Sequence, residues 1–308
     1  MRVGAIDCGT NSIRLLIADG DAGGALTDVH REMRIVRLGQ GVDRTGRLAP
    51  EAIERTRVAL ADYATTIGEL GAEHVRMVAT SATRDAANRV DFVEMVRHTL
   101  GVDPEVITGD EEARLTFLGA VAGLPRADGR LLVADIGGGS TELVLGDLSG
   151  VLSAYSMDVG CVRLTERHLH GDPPTPDQIG RVVDDVRAAI AAARHTVAIE
   201  SGGRFVGVAG TVTTIVAIAL GLDRYDADAI HGATIGARDV AAVTERLLAM
   251  THDERAALPV MHPGRVDVIG AGALVLRTIV EESGTSEVIA SEHDILDGIA
   301  STLLSRSR

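Results

Sequence analysis

The chain repeats itself. Val3 to Asp19 (VGAIDCGTNSIRLLIAD) lies over Leu131 to Asp147 (LLVADIGGGSTELVLGD) without a gap, at a constant offset of 128 residues. In that register Asp7 falls on Asp135, Gly9 on Gly137, Ser12 on Ser140, Leu15 on Leu143 and Asp19 on Asp147. A looser match pairs Met77-Val78-Ala79-Thr80-Ser81 with Gly207-Val208-Ala209-Gly210-Thr211, in the same order and at nearly the same offset. Short matches arise by chance, but two in series predict a duplicated structural unit. A length of 308 residues accommodates two domains, each with its own core. The join is expected in Gly123-Leu124-Pro125-Arg126-Ala127-Asp128-Gly129, the most linker-like stretch between the copies. The expected domains are therefore 1–124 and 125–308, with the last helix free to pack back on the first.

Local patterns give an alternation of strands and helices. Val3 to Ile6 and Ile13 to Ala18 read as strands joined by the tight segment Asp7-Cys8-Gly9-Thr10-Asn11-Ser12, and Val29 to Leu38 reads as a third strand. Pro50 opens a helix whose apolar positions Ile53, Leu60, Tyr63, Ala64 and Ile67 recur at helical spacing until Gly71. Val75 to Ala79 reads as a strand, Phe92 to Leu100 as a helix, Glu105 to Thr108 as a strand, and a helix follows from Asp110. The predicted class is α/β, layered, with ligands at strand ends.

Composition removes several chemistries. There are 44 acidic against 30 basic residues, a net charge of −14, which argues against a nucleic-acid or anionic-membrane surface. No apolar run is long enough to span a bilayer, and the N-terminus enters a strand-like segment directly, so a cytoplasmic protein is expected. All the basic residues apart from histidine are arginine. Lysine is absent, which excludes a Walker A loop, a kinase-type strand lysine and a lysine Schiff base. Any phosphate must be held by arginines, backbone amides, hydroxyls or a metal ion. Cys8 and Cys161 lack metal-ligand spacing and read as buried free thiols.

Both hairpins end a strand on an acidic residue, turn on glycine and resume on a hydroxyl residue. Such a turn can present consecutive amides as an anion nest, although a plain glycine-rich hairpin tip looks the same in sequence. The phosphate candidates are Asp7, Gly9, Thr10, Asn11 and Ser12 in the first copy and Gly137, Gly138, Gly139 and Ser140 in the second. Asp135 and Glu142, one at each mouth of the second hairpin, read either as an Asp bonding its own turn with a Glu on a solvated strand face, or as ligands suited to Mg²⁺, a hard cation often shared with substrate phosphate. The first hairpin has Arg14 where the second has Glu142, which predicts fixed positive charge on one side and metal on the other. Asp110, Glu111 and Glu112 open a helix, either as an acidic first turn or with one glutamate directing a water. Arg84, in Thr80-Ser81-Ala82-Thr83-Arg84, either binds phosphate or pairs with Asp85, and Gly210 with Thr211 forms the matching element of the second copy. Arg31, Arg34 and Arg37 recur at three-residue spacing, as a positive track or a solvated face. His293-Asp294 and His168/His170 lack the partners of a metal site.

The ordered set Asp7-Cys8-Gly9-Thr10-Asn11-Ser12, Gly109-Asp110-Glu111-Glu112-Ala113-Arg114-Leu115 and Asp135-Ile136-Gly137-Gly138-Gly139-Ser140-Thr141-Glu142 resembles the exopolyphosphatase / guanosine pentaphosphate phosphohydrolase family. That family sits in the actin-like, sugar-kinase and heat-shock-ATPase superfamily. The resemblance implies two ribonuclease-H-like (actin-like ATPase) domains with an interdomain cleft, and metal-dependent release of terminal phosphate from linear polyphosphate. By motif position Glu112 resembles the catalytic base, Asp135 and Glu142 the metal-associated carboxylates, with Mg²⁺ or Mn²⁺ as the ion. The hairpin residues Thr10 to Ser12 and Gly137 to Ser140, with Arg84, resemble the phosphate-contacting groups. Hydrolysis of guanosine pentaphosphate is the alternative substrate reading; an actin-like kinase or a non-catalytic nucleotide sensor is the alternative from another class. Neither a nucleic-acid nor a membrane partner is expected, and a homodimer is expected on base rate alone.

Overall fold

The computed structural model describes residues 1–21, 24–124, 129–147, 149–200 and 203–306. Pro125 to Asp128, the centre of the expected join, lie outside them. The chain divides into two compact units, Met1–Gly119 with Asp294–Arg308, and Ala120–His293.

The first unit runs β1 (Arg2–Cys8), β2 (Ser12–Gly20), β3 (Leu26–Ile35), α1 (Val42–Thr45), α2 (Pro50–Leu70), β4 (His74–Ala79), α3 (Ser81–Asp85), α4 (Arg89–Leu100), β5 (Glu105–Val106) and α5 (Gly109–Ala122). Its sheet has the order β3-β2-β1-β4-β5. The hairpins β1–β2 and β2–β3 are antiparallel, whereas β4 joins β1, and β5 joins β4, in parallel. The second unit continues with β6 (Leu131–Ile136), β7 (Thr141–Asp147), β8 (Gly150–Met157), α6 (Cys161–His168), α7 (Pro176–Ala193), β9 (Arg204–Val208), α8 (Ala209–Ala219), α9 (Ala227–Ile230), β10 (Thr234–Gly236), α10 (Ala237–Ala249), α11 (His252–Ala256), α12 (Ile269–Ser283) and β11 (Glu287–Ala290). Its sheet has the order β10-β11-β9-β6-β7-β8. Here too an antiparallel hairpin, β6–β7, takes a parallel strand, β9, on its other side. The sequence repeat is thus a repeat of topology. The closing helix α13 (Ile295–Arg306) returns to the first unit. None of the described helices is long and apolar enough to cross a membrane.

Period-two alternation explains the cores. Along β1 and β2, Ile6, Cys8, Ile13, Leu15 and Ile17 enter a cluster with Leu60, Tyr63 and Phe92 of α2 and α4. The intervening Val3, Ala5, Leu16 and Ala18 pack instead against Ile295, Leu296, Ile299 and Leu304 of α13. Each fully buried valine, leucine or isoleucine among them contributes about 1.5–3 kcal/mol, enough in sum to hold the closing helix on the sheet. In the second unit Leu132, Ala134, Ile136, Leu143 and Leu145 face a single large core. Asp135 and Glu142 therefore project from the opposite face of that hairpin. Both cysteines are buried and free, and burial pushes Cys161 up to about 11.

Some boundaries differ from the expected ones. The first strand extends through Asp7 and Cys8, so the first turn is Gly9 to Asn11 only. The third strand ends at Ile35 rather than Leu38, because the Val36 and Arg37 amides leave the ladder and donate to Asn11 O at 3.1 and 2.8 Å. Arg37 then takes a left-handed φ of 49°. Of Glu105 to Thr108, only Glu105–Val106 is in the sheet.

Candidate active site

The second hairpin orients its peptide groups from behind. Gly137 N–H closes the turn on Ser140 O at 3.1 Å. The carbonyls of Gly137 and Gly138 accept from the first amides of α6, Cys161 at 3.0 Å and Val162 at 2.8 Å, with Arg163 N–H also on Gly138 O at 3.1 Å. Gly139 O accepts from Arg163 Nε at 2.7 Å. A trans peptide points its carbonyl and its N–H in opposite directions. Fixing those three carbonyls against α6 therefore turns the N–H groups of Gly138, Gly139 and Ser140 the other way, as consecutive donors: an anion nest. Gly160 makes this approach feasible, since a Cβ there would lie 2.4 Å from Gly138 O.

Beside the nest, Asp135 and Glu142 are direct cross-strand partners on one face of the hairpin. Both are buried, at 7% and 1% exposure, and Glu142 Oε1 accepts from Ser156 Oγ at 2.7 Å. Like charges opposite one another are unfavourable unless a cation or a proton lies between them. Among the described residues no third Asp, Glu, His or Cys joins them in a metal-sized cluster. Two hard carboxylates with no protein cage fit Mg²⁺, which keeps waters and shares substrate oxygens, better than a closed structural site.

In the first hairpin, Gly9 N–H closes on Ser12 O at 2.9 Å, the same closure as in the second. Here the loop after β3 does the backing: Gly39 N–H donates to Thr10 O at 2.8 Å. Thr10 Oγ1 meets Ser81 Oγ of α3 at 2.9 Å. Asp7 sits in the strand, not in the loop, and its Oδ2 accepts from Arg14 Nη2 at 2.6 Å. Arg14 also binds Asp294, just before α13. The fixed positive charge expected of Arg14 is thus spent between two carboxylates. Burial pushes Asp7 above the ordinary carboxylate range; Arg14 opposes this and Asp294 adds to it. The acidic member of the His293-Asp294 pair is accounted for by this network.

Each acid of the α5 first turn has its own arginine. Asp110 pairs with Arg114 on the surface, Glu111 with Arg76, and Glu112 Oε2 with Arg84 Nη1 at 2.9 Å. The cap is Thr108, whose hydroxyl accepts from Glu111 N–H at 3.2 Å. Glu112 is the buried one, at 7% exposure. Arg84, which also donates to Ile107 O at 3.0 Å, serves Glu112 rather than Asp85.

In the second unit, Gly210 and Thr211 open α8, whose N-terminus has no side-chain cap. Ala209 has a φ of 68°, a strained left-handed value for a residue with a Cβ. The guanidinium of Arg265 lies against Gly210, where a Cβ would come 2.2 Å from Arg265 Cζ, and donates to Thr214 Oγ1 at 3.1 Å. Sequence reasoning gave Arg265 and Arg163 no role of their own. Both come from elements outside the repeat, so only the fold brings them to α8 and to the nest.

Two α/β units, each a hairpin with a glycine turn and a parallel strand beside it, define the actin-like ATPase class. The Ppx/GppA phosphatase family matches residues 16–306, and the chain belongs to that family. It is 54% identical to Exopolyphosphatase 2 of Mycobacterium tuberculosis over 314 aligned positions, covering 98% of both chains. A crystal structure of the Aquifex aeolicus Ppx/GppA family member superposes with a TM-score of 0.82 at 31% identity, covering 100% of this chain and 99% of that one. A crystal structure of an exopolyphosphatase from Cytophaga hutchinsonii gives 0.91 at 26% identity, over 99% and 98%.

Proposed function

We propose that the chain is an exopolyphosphatase, which hydrolyses the terminal phosphoanhydride of linear inorganic polyphosphate and releases orthophosphate. One observation carries the reading: the amides of Gly138, Gly139 and Ser140, turned away from α6, share a hairpin with the buried carboxylate pair Asp135/Glu142. This combination suits a phosphate end with its metal ion and does not suit a neutral substrate.

Phosphoanhydride hydrolysis needs charge neutralisation, positioning and a directed water, without a covalent enzyme intermediate. A new bond forms between the water oxygen and the terminal phosphorus, and the bridging P–O bond breaks. The products are orthophosphate and a chain one unit shorter. Glu112 accepts the water proton, with Arg84 fixing the carboxylate that does so. The nest amides, Thr10, Ser12 and the N-terminus of α8 with Arg265 hold phosphate oxygens. Asp135 and Glu142 would hold Mg²⁺ or Mn²⁺, which supplies charge neutralisation on those oxygens when bound.

The test is phosphate release from polyphosphate of defined length, guanosine pentaphosphate and ATP, with and without Mg²⁺. Metal-dependent release, fastest from polyphosphate, is expected. Preference for guanosine pentaphosphate would assign that substrate instead, and no release from any of the three would defeat a hydrolase reading.

A further inference from the structure

Many arginines of this acidic chain are neutralised within the fold. Arg31 and Arg34, two members of the expected positive track, are paired with Asp28 and Asp297, and with Glu32 and Asp62. The start of α2 is different. A cavity of about 590 Å³ opens there, walled by Gln40, Arg44, Arg47, Glu51 and Arg55 among others. The side chains of Arg44 and Arg47 make no hydrogen bond or ion pair among the described residues. Arg55 donates to neutral oxygens, Val36 O at 2.9 Å and Gln40 Oε1 at 3.1 Å, and pairs with no carboxylate among the described residues. Three guanidinium groups therefore stand against the one lining carboxylate, Glu51. The uncapped N-terminus of the 21-residue helix α2 adds its positive pole to the same wall.

The cavity has a fixed relation to the first phosphate loop, because one segment serves both. Residues 36–39 back the turn through hydrogen bonds to Thr10 O and Asn11 O, and the next two, Gln40 and Gly41, wall the cavity. Arg55 ties the segment down from the α2 side through Val36 O and Gln40. We propose that this cavity is a second phosphate-chain site. It binds internal, non-reacting units of the polyphosphate whose terminal unit is hydrolysed, and so rests on the proposed substrate. A linear polyphosphate carries charge on every internal unit. Arginine forks recognise such oxygens through paired, charge-assisted hydrogen bonds, and several guanidiniums around a cavity of this size match linked units better than one free phosphate.

Equilibrium binding of long-chain polyphosphate, tripolyphosphate and orthophosphate, measured by titration calorimetry in EDTA so that turnover does not intrude, tests the site. The double variant R44Q/R47Q removes two exposed charges that make no hydrogen bond or ion pair among the described residues, and a Tm within the wild-type range verifies that the fold does not need them. It should weaken long-chain binding about tenfold or more, the loss of roughly one charge-assisted contact or better, and leave tripolyphosphate and orthophosphate binding unchanged. Unchanged long-chain affinity would overturn the proposal. An equal loss for tripolyphosphate would overturn it too, by placing these arginines at the chain end. Failure of wild type to release phosphate would defeat the proposed activity, yet this binding comparison would still decide the cavity's role.

Discussion

The two hairpins share a register and a closure and differ in the charge that stands opposite the aspartate ending the first strand. Asp7 faces Arg14 in the first, whereas Asp135 faces Glu142 in the second. Arginine opposite aspartate closes an internal ion network that reaches Asp294 at the head of α13, so the first hairpin's charge is consumed in holding its own unit together. Glutamate opposite aspartate leaves two acids face to face, which favours a cation. The backing differs as well: a loop after β3 supports the first turn, and the N-terminus of α6 the second. Duplication thus preserves the backbone turn while a single side-chain exchange converts a structural pair into a metal-suited one.

If the units have divided their work in this way, the largest loss should come from the first unit's Glu112. Glu112→Gln keeps shape and the Arg84 contact but cannot accept a proton, and kcat should fall about a hundredfold or more with Tm little changed. Near-normal turnover would leave the first unit with phosphate contacts only. The next largest effect belongs to the acidic pair. Glu142→Gln should raise the Mg²⁺ concentration for half-maximal activity about tenfold to a hundredfold. An unchanged metal titration would remove the functional distinction between the hairpins.

Much of this was legible in the sequence, for a definite reason. A hairpin tipped by glycine and flanked by alternating apolar residues specifies its own register, so the offset between copies reported Asp7–Arg14 and Asp135–Glu142 as equivalent positions. The Pro50 and Gly71 limits of α2 were equally local, set by the conformations those residues favour. What sequence could not give was the partner of each charge. Arg84 choosing Glu112 over Asp85, Arg14 being spent on Asp294, and Arg265 lying over Gly210 all depend on segments brought together by packing. That Arg44 and Arg47 have no partner among the described residues was illegible for the same reason, since it depends on every segment packed near them.

The backing glycines give a smaller and more discriminating test. A Cβ at Gly160 would fall 2.4 to 2.6 Å from the backbone of Gly138 and Gly139, which cannot yield without turning the nest. Gly160→Ala should cost about 1–3 kcal/mol of stability and raise KM for substrate. At Gly39 the nearest atom is the Thr10 methyl, at 2.3 Å, a side-chain group that can rotate at the expense of its Ser81 contact. Gly39→Ala should cost about 1 kcal/mol, with a weaker effect on KM. Reversal of that order, in thermal melts and steady-state kinetics, would mean that the first loop carries the tighter phosphate grip.

The smallest expected effect probes the ion network itself. Burial raises the folded-state pKa of Asp7 above its unfolded value, against the pull of Arg14 and with the help of Asp294. The raised sign means that the folded chain holds this proton more firmly than the unfolded one. The site's stabilising contribution is therefore fully present below the unfolded carboxylate's pKa of about 4 and is lost as pH rises through the folded value. Asp7→Asn mimics the protonated side chain and does not titrate. Its Tm relative to wild type should therefore rise as the pH increases from that of an ordinary carboxylate towards neutrality, even if the variant is less stable throughout for want of its Arg14 pair. A difference that stays flat across that interval would show that Arg14 fully compensates the burial of Asp7. A difference that falls would mean that Asp7 is held as a carboxylate, making the first hairpin's network a stronger ion pair than its two-acids-to-one-arginine composition implies.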